Sequence, residues 1–175
     1  MPFSLPLIES TLDASLNARL RHKIDHKTKP LGALGQLEDL ALQLGLIQRS
    51  ESIGLKDPQM VVFAADHGIA AEGVSAFPQA VTAQMVGNML AGGAAINVLA
   101  RQHGFALQVV DAGVASDFDD HPGLVKRKIA LGTQNSCHGP AMTQAQCHAA
   151  LQAGSDVVKS LPGNVLALEI GRAHV

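Results

Sequence analysis

Two rhythms of apolar residues divide the chain. Between residues 7 and 24, Leu12, Leu16 and Leu20 recur every fourth position, with Arg19, Arg21 and Lys23 opposite them, which predicts an amphipathic helix. Residues 36–46 repeat that spacing through Leu37, Leu40, Ala41 and Leu44, and Gly45 is the expected terminator. The stretch between them, 27–35, is basic and broken by Pro30, Gly32 and Gly35, as a loop would be. The second rhythm is short. Residues 60–65 are a continuous apolar run, the pattern of a strand buried on both faces of a parallel sheet, and the mostly apolar stretches 106–111 and 164–168 read as two further strands. Between the first two runs, Pro78 opens a helix carrying Val81, Met85 and Met89. Gly92 and Gly93 then interrupt it, and a second helix over 94–103 is stopped by Gly104. Residues 116–140 read as loop with a short extended piece at 125–130, and 142–160 read as a helix before the turn at Pro162 and Gly163. Strands alternating with helices imply right-handed crossovers and an α/β fold.

The ends of these strands carry the chemistry. The first runs directly into Asp66, His67 and Gly68, with Glu72 and Gly73 close behind, and the second closes on Asp111, Ala112 and Gly113. Ligands of open α/β sheets sit beyond the carboxyl ends of strands, so this loop is the first candidate pocket wall. Asp66 and His67 read either as a metal or acid/base pair or as a turn cap and a structural histidine. Glu72 reads equally as a pocket-rim acid or a solvated one, and Gly68 and Gly73 as positions needing positive φ.

Composition narrows the field. Thirteen basic and fifteen acidic residues leave a net charge of -2, and no Lys/Arg cluster lies beside aromatics, so a nucleic-acid partner is not expected. No unbroken apolar run nears the roughly 20 residues of a membrane span and no signal-peptide pattern opens the chain, which makes a cytoplasmic location the expectation. Cys137 and Cys147 fit free thiols better than a disulfide framework. His22 and His26 are four apart but lack the glutamate of an HExxH motif, and His121, His138 and His148 lie in unrelated segments, so no metal is expected.

Five blocks together resemble a known family. They are Lys29-Pro30-Leu31-Gly32-Ala33-Leu34-Gly35-Gln36-Leu37-Glu38; Asp66-His67-Gly68 with Glu72 to Pro78; Val81-Thr82-Ala83-Gln84-Met85; Asp111-Ala112-Gly113-Val114; and Gly132-Thr133-Gln134-Asn135 with Gly139-Pro140-Ala141-Met142. In this order they resemble the nicotinate-nucleotide:dimethylbenzimidazole phosphoribosyltransferases. The resemblance implies a Rossmann-like parallel sheet with helices on both faces, incomplete here, and N-terminal helices belonging to a smaller domain. It implies phosphoribosyl transfer from nicotinate mononucleotide to 5,6-dimethylbenzimidazole, giving α-ribazole 5′-phosphate and nicotinate in cobalamin nucleotide-loop synthesis, without a cofactor. The implied partners are those small molecules and a second copy in a homodimer. Acceptor-base contacts fall on Phe77, Gln84 and Met85; Phe77 stands where some members carry serine, and Met85 where one carries glutamine. Asp66, His67, Gly68 and Glu72 are expected to shape the site. The family's phosphate-binding glycine loop and catalytic glutamate have no counterpart in residues 1–168, so no catalytic residue is expected in this chain.

Residues 169–175 look like an in-frame translated sequencing adapter, so they are expected to be non-native. The expected organisation is therefore 1–46 for N-terminal helices, 58–168 for the first half of the α/β domain, and 169–175 for the tail. Such a piece should be inactive alone and poorly soluble, with an unpaired sheet edge and uncovered apolar faces. Two other classes fit the residues: a non-enzymatic heterocycle-binding protein, and a metal-dependent hydrolase using Asp66, His67 and Asp111.

Overall fold

The structure, a computed structural model, describes residues 3–170. The chain forms two compact units: Leu5–Leu55, and a larger one that begins at Lys56 and takes in residues 3–4.

In the smaller unit, α1 (Ala14–Asp25) packs on α2 (Gln36–Gln48). Helix α1 begins later than the expected residue 7. Asp13 sets its start by accepting the Leu16 N–H at 2.8 Å, and Leu7 and Leu12 stay exposed ahead of it. The buried stripe is Leu16, Leu20 and Leu42, flanked by Ile24 and Leu46. Gly45 lies inside α2 and does not terminate it. A Cβ there would fall 2.7 Å from both δ-carbons of Leu20, so the missing side chain is what lets the helices approach. The helix ends instead at Arg49, whose left-handed backbone (φ 50°) directs its N–H to the Gly45 and Leu46 carbonyls. In the connecting loop, Glu38 accepts the Leu34 N–H at 3.0 Å and lies 2.9 Å from Lys29 Nζ. The Lys29 ammonium and that amide hold the Glu38 carboxyl below its ordinary pKa.

The larger unit is a parallel sheet in the order β3-β2-β1-β4. Its strands are β1 (Gln59–Ala65), β2 (Ala106–Gly113), β3 (Leu124–Lys126) and β4 (Leu166–Ile170). Alternation sorts the side chains. Val62, Ala64 and Val109 face α3 (Ala80–Leu90) through Val86 and Met89, whereas Val61 and Val110 meet Val157 of α5 (Gln144–Ser160). Helices therefore cover both faces, and the expected α/β class holds.

Several boundaries move. Strand β3 is shorter than the expected 125–130 piece, but the chain still runs beside β2, with Arg127 and Ile129 N–H groups on the Asp111 and Ala112 carbonyls. Strand β4 starts two residues late, because Asn164 is bound to Lys56 through both its backbone and its side chain. It continues through Glu169 and Ile170, opposite Val62 and Phe63. Gly171 to Val175, the rest of the expected tail, lie outside the described residues.

By length and composition alone, Ala80–Gln102 could pass for a membrane-crossing helix. Its backbone breaks at Gly92 (φ 79°) into α3 and α4 (Ala95–Gln102). Buried Asn97 bridges the break, donating to the Met89 carbonyl at 2.9 Å and accepting the Ala94 N–H at 3.1 Å. Gly104 closes α4 with φ 71°.

Candidate functional site

Strands β1 and β2 end side by side, and their two acids are turned into the backbone. A register shift after Ala64 sets Ala65 opposite Gly113, and the Asp66 N–H then bonds the Gly113 carbonyl. The Asp111 carboxylate accepts the Gly113 and Val114 N–H groups at 3.1 and 2.9 Å, and its second oxygen lies 3.3 Å from Lys128 Nζ. Lys128 also donates to the Val114 and Ser116 carbonyls, fixing the loop after β2. Asp111 is thus committed to a turn and an ion pair, which removes it from the ligand set that the hydrolase alternative required. Asp66 is 2% exposed; its Oδ2 accepts the Ala115 N–H at 2.8 Å, and its Oδ1 is buried with no hydrogen-bond donor among the described residues.

Gly68 and Gly132 bring two loops into backbone contact. A Cβ on Gly68 would fall 2.5 Å from the Asn135 nitrogen and 2.7 Å from the Thr133 oxygen; its own N–H reaches Thr133 Oγ1 at 3.2 Å. Gly132 (φ 85°) lies against the Asp66 carbonyl, which accepts the Thr133 N–H at 3.0 Å. Close approach, not positive φ, is the requirement at Gly68, whereas Gly73 does carry φ 73°. His67 is exposed, and its carbonyl accepts the Ala70 N–H in the 3₁₀ turn Gly68–Glu72. Glu72 accepts from Asn135 Nδ2 at 2.5 Å and lies 3.4 Å from His138 Nε2, so it ties the first loop to the second.

These contacts enclose a cavity of about 190 Å³. Its inner walls are Ala65, Ala112, Gly113, Ile129 and Ala130, and Met142, Gln146 and Ala150 close it from α5 and the turn preceding it. Asp66, His67, Thr133 and Gln134 supply its polar groups. Of the residues singled out from sequence, Asp66 and His67 line this cavity, Gly68 supports it, and Glu72 braces the loop beside it. Phe77 is 66% exposed, Gln84 and Met85 are exposed on α3, and none of the three lines the cavity. Thr133, Gln134 and Met142 also line it; they stand within the matching sequence blocks, where nothing in the spacing singles them out as site residues. Gln146 and Ala150 carried no signal, because helical spacing alone does not say which face of α5 meets the sheet.

A parallel sheet with its loops packed over a cavity beyond the strand ends defines an α/β protein with its candidate site at the carboxyl end of the sheet. The chain belongs to the phosphoribosyltransferase family, whose sequence model matches residues 10–171. It is similar to the nicotinate-nucleotide–dimethylbenzimidazole phosphoribosyltransferase of Variovorax paradoxus (strain S110), with 59% identity over 165 residues, 94% of this chain and 47% of that protein. The protein of the same name from Janthinobacterium sp. (strain Marseille) is 56% identical over 159 residues, covering 91% of this chain and 46% of its own length. The crystal structure of the Thermus thermophilus protein of that name matches with a TM-score of 0.85 and 44% identity, over 91% of this chain and 49% of that one. The chain spans about half the length of the curated relatives it matches.

Proposed function

We propose that the protein carrying this chain transfers phosphoribose from nicotinate mononucleotide to 5,6-dimethylbenzimidazole, in cobalamin nucleotide-loop synthesis. The observation that carries the reading is the 59% identity to a relative of that name across nearly the whole chain. In the reaction the bond from the ribose anomeric carbon to the pyridinium nitrogen breaks, and its electron pair stays with nicotinate. The unprotonated imidazole nitrogen of the acceptor forms the new bond with inversion, and the proton on its other ring nitrogen passes to a general base. Much of the acceleration in such a displacement comes from alignment, with proton removal adding to it.

Residues of this chain would serve alignment. Phe77, Gln84 and Met85 contact the acceptor base in this reading, while Asp66, His67, Gly68 and Glu72 shape the loops beside it. The packing of Gly68 on the second loop and the Glu72–Asn135 bond support that shaping role. Transfer is assigned to the whole-length protein, acting as a homodimer in the cytoplasm, and this chain alone is proposed to be inactive. The test is formation of α-ribazole 5′-phosphate from the two substrates, followed by chromatography. The whole-length protein is expected to form it equally well in EDTA, and the 175-residue chain to form none. Absence of product from the whole-length protein would overturn the reading, and EDTA-sensitive hydrolysis would favour a metal-dependent hydrolase.

A further inference from the structure

One peptide group after β2 is gripped from both sides. The Val114 carbonyl accepts from Lys128 Nζ at 2.9 Å, and the N–H of the same peptide, on Ala115, donates to Asp66 Oδ2 at 2.8 Å. Lys128 Nζ also donates to the Ser116 carbonyl at 2.5 Å and to Asp117 Oδ1 at 3.1 Å, and it lies 3.3 Å from Asp111 Oδ2. An ammonium is a compact charge with three donors, suited to gathering several oxygens at one point. The carbonyl and N–H of a trans peptide point in opposite directions. Fixing the Val114 oxygen on Lys128 therefore aims the Ala115 N–H at Asp66. The buried Asp66 carboxylate depends on that donor, since its Oδ1 has none among the described residues. Lys128 itself stands outside the cavity, but its neighbours Ile129 and Ala130 line it, as does Asp66.

We propose that Lys128 is a positioning residue for the acceptor side of the transfer. Through the Val114–Ala115 peptide it holds Asp66, and Asp66 holds the start of the loop that leads from β1 to Phe77. The inference rests on the proposed function for its reaction, and goes beyond it by giving a role to a side chain outside the cavity. Asp66 follows the last residue of β1, and the 3₁₀ turn Gly68–Glu72 begins two residues later. If the Val114–Ala115 peptide turns, the carboxylate loses its donor while still buried, and it must shift toward another donor or toward water. The loop inherits that shift, and so does the second loop, because the Asp66 carbonyl accepts the Thr133 N–H. In this reading the phosphate loop and the general base have no counterpart in residues 1–168, so Lys128 acts on acceptor binding and leaves donor binding alone.

The test is transfer kinetics of the whole-length protein with each substrate varied in turn, beside hydrogen exchange at the Ala115 amide. Lys128→Met is expected to raise KM for dimethylbenzimidazole about tenfold, the usual effect of one hydrogen bond to a charged group. KM for nicotinate mononucleotide and kcat should stay within about twofold, and Ala115 should exchange faster. Because Lys128→Met leaves Asp111 buried without its cation, the second variant adds Asp111→Asn. That pair removes both charges, keeps an oxygen for the Gly113 and Val114 N–H groups, and should show the same split. Combined with Asp66→Ala, Lys128→Met should raise the acceptor KM no further than Asp66→Ala does alone, because both act through one contact. Lys126→Met, which breaks only the exposed pair with Asp120, should leave both KM values unchanged. A fall in kcat with both KM values unchanged, equal rises in the two, or additive effects of Lys128→Met and Asp66→Ala would each overturn the inference. Unchanged exchange at Ala115 in Lys128→Met would overturn it whatever the kinetics give. Absence of product from the unsubstituted protein would overturn the proposed function and the acceptor role with it, a result told apart from the others because it needs no variant.

Discussion

At the scale of single residues, the glycines separate by what surrounds them. Gly68 faces backbone atoms of 133–135 that cannot rotate away, so Gly68→Ala must push two loops apart. Forced overpacking of this kind costs about 3 kcal/mol, expected as a lower urea midpoint with an unchanged slope. Gly154, in α5, has nothing within 4 Å of an added Cβ and no left-handed backbone. Gly154→Ala should therefore stabilise by about 0.5–1 kcal/mol through helix propensity, which makes it the matched control in the same denaturation experiment. The acids separate in the same way. Their positions after strands are legible in the sequence, but spacing leaves Asp66 open between a metal or acid/base role and a turn cap, and only the fold shows its Oδ2 accepting the Ala115 N–H from the loop after the neighbouring strand.

Among the elements, the break between α3 and α4 depends on one side chain. Gly92 and Gly93 announce an interruption, but they do not say what holds the two helices at the turn. Asn97 does so from a buried position, reaching both the last turn of α3 and the first residue before α4. Asn97→Ala would strand the Ala94 N–H and leave the Met89 carbonyl with only its backbone donor Gly92, and should cost about 2 kcal/mol, measurable as a fall in Tm by calorimetry. Helix α1 carries a similar lesson, since the apolar spacing from Leu12 onward suggested an earlier start and the Asp13 cap imposed a later one. Gly45 suggested a helix end and proved to be a contact, because a glycine in α2 also suits close packing against Leu20.

Over the whole molecule, the exposed row on β4 sets behaviour in solution. Leu166, Leu168 and Ile170 pair with Gln59, Val61 and Phe63, which places them on the α5 side of the sheet. Leu168 and Ile170 are nevertheless 61% and 60% exposed, and among the described strands β4 pairs only with β1. An apolar strand edge of this kind favours association. Sedimentation of the 175-residue chain is expected to show concentration-dependent oligomers, and the double substitution Leu168→Lys with Ile170→Lys is expected to shift them toward monomer. A chain that stays monomeric at every concentration would contradict this reading.

Periodicity by itself determined the α/β class, the order of helices and strands, and the end of the sheet at which Asp66 and Asp111 stand. These features are local, written in the spacing of apolar residues and in glycines and prolines at fixed offsets. Only the tertiary structure decided that Asp111 is consumed by Lys128, that Gly68 and Gly132 lock two distant loops together, and that α5 brings Gln146 and Ala150 to the cavity. Each of these joins residues far apart in sequence, and a contact of that kind depends on which faces meet when the sheet is covered, which no local spacing encodes.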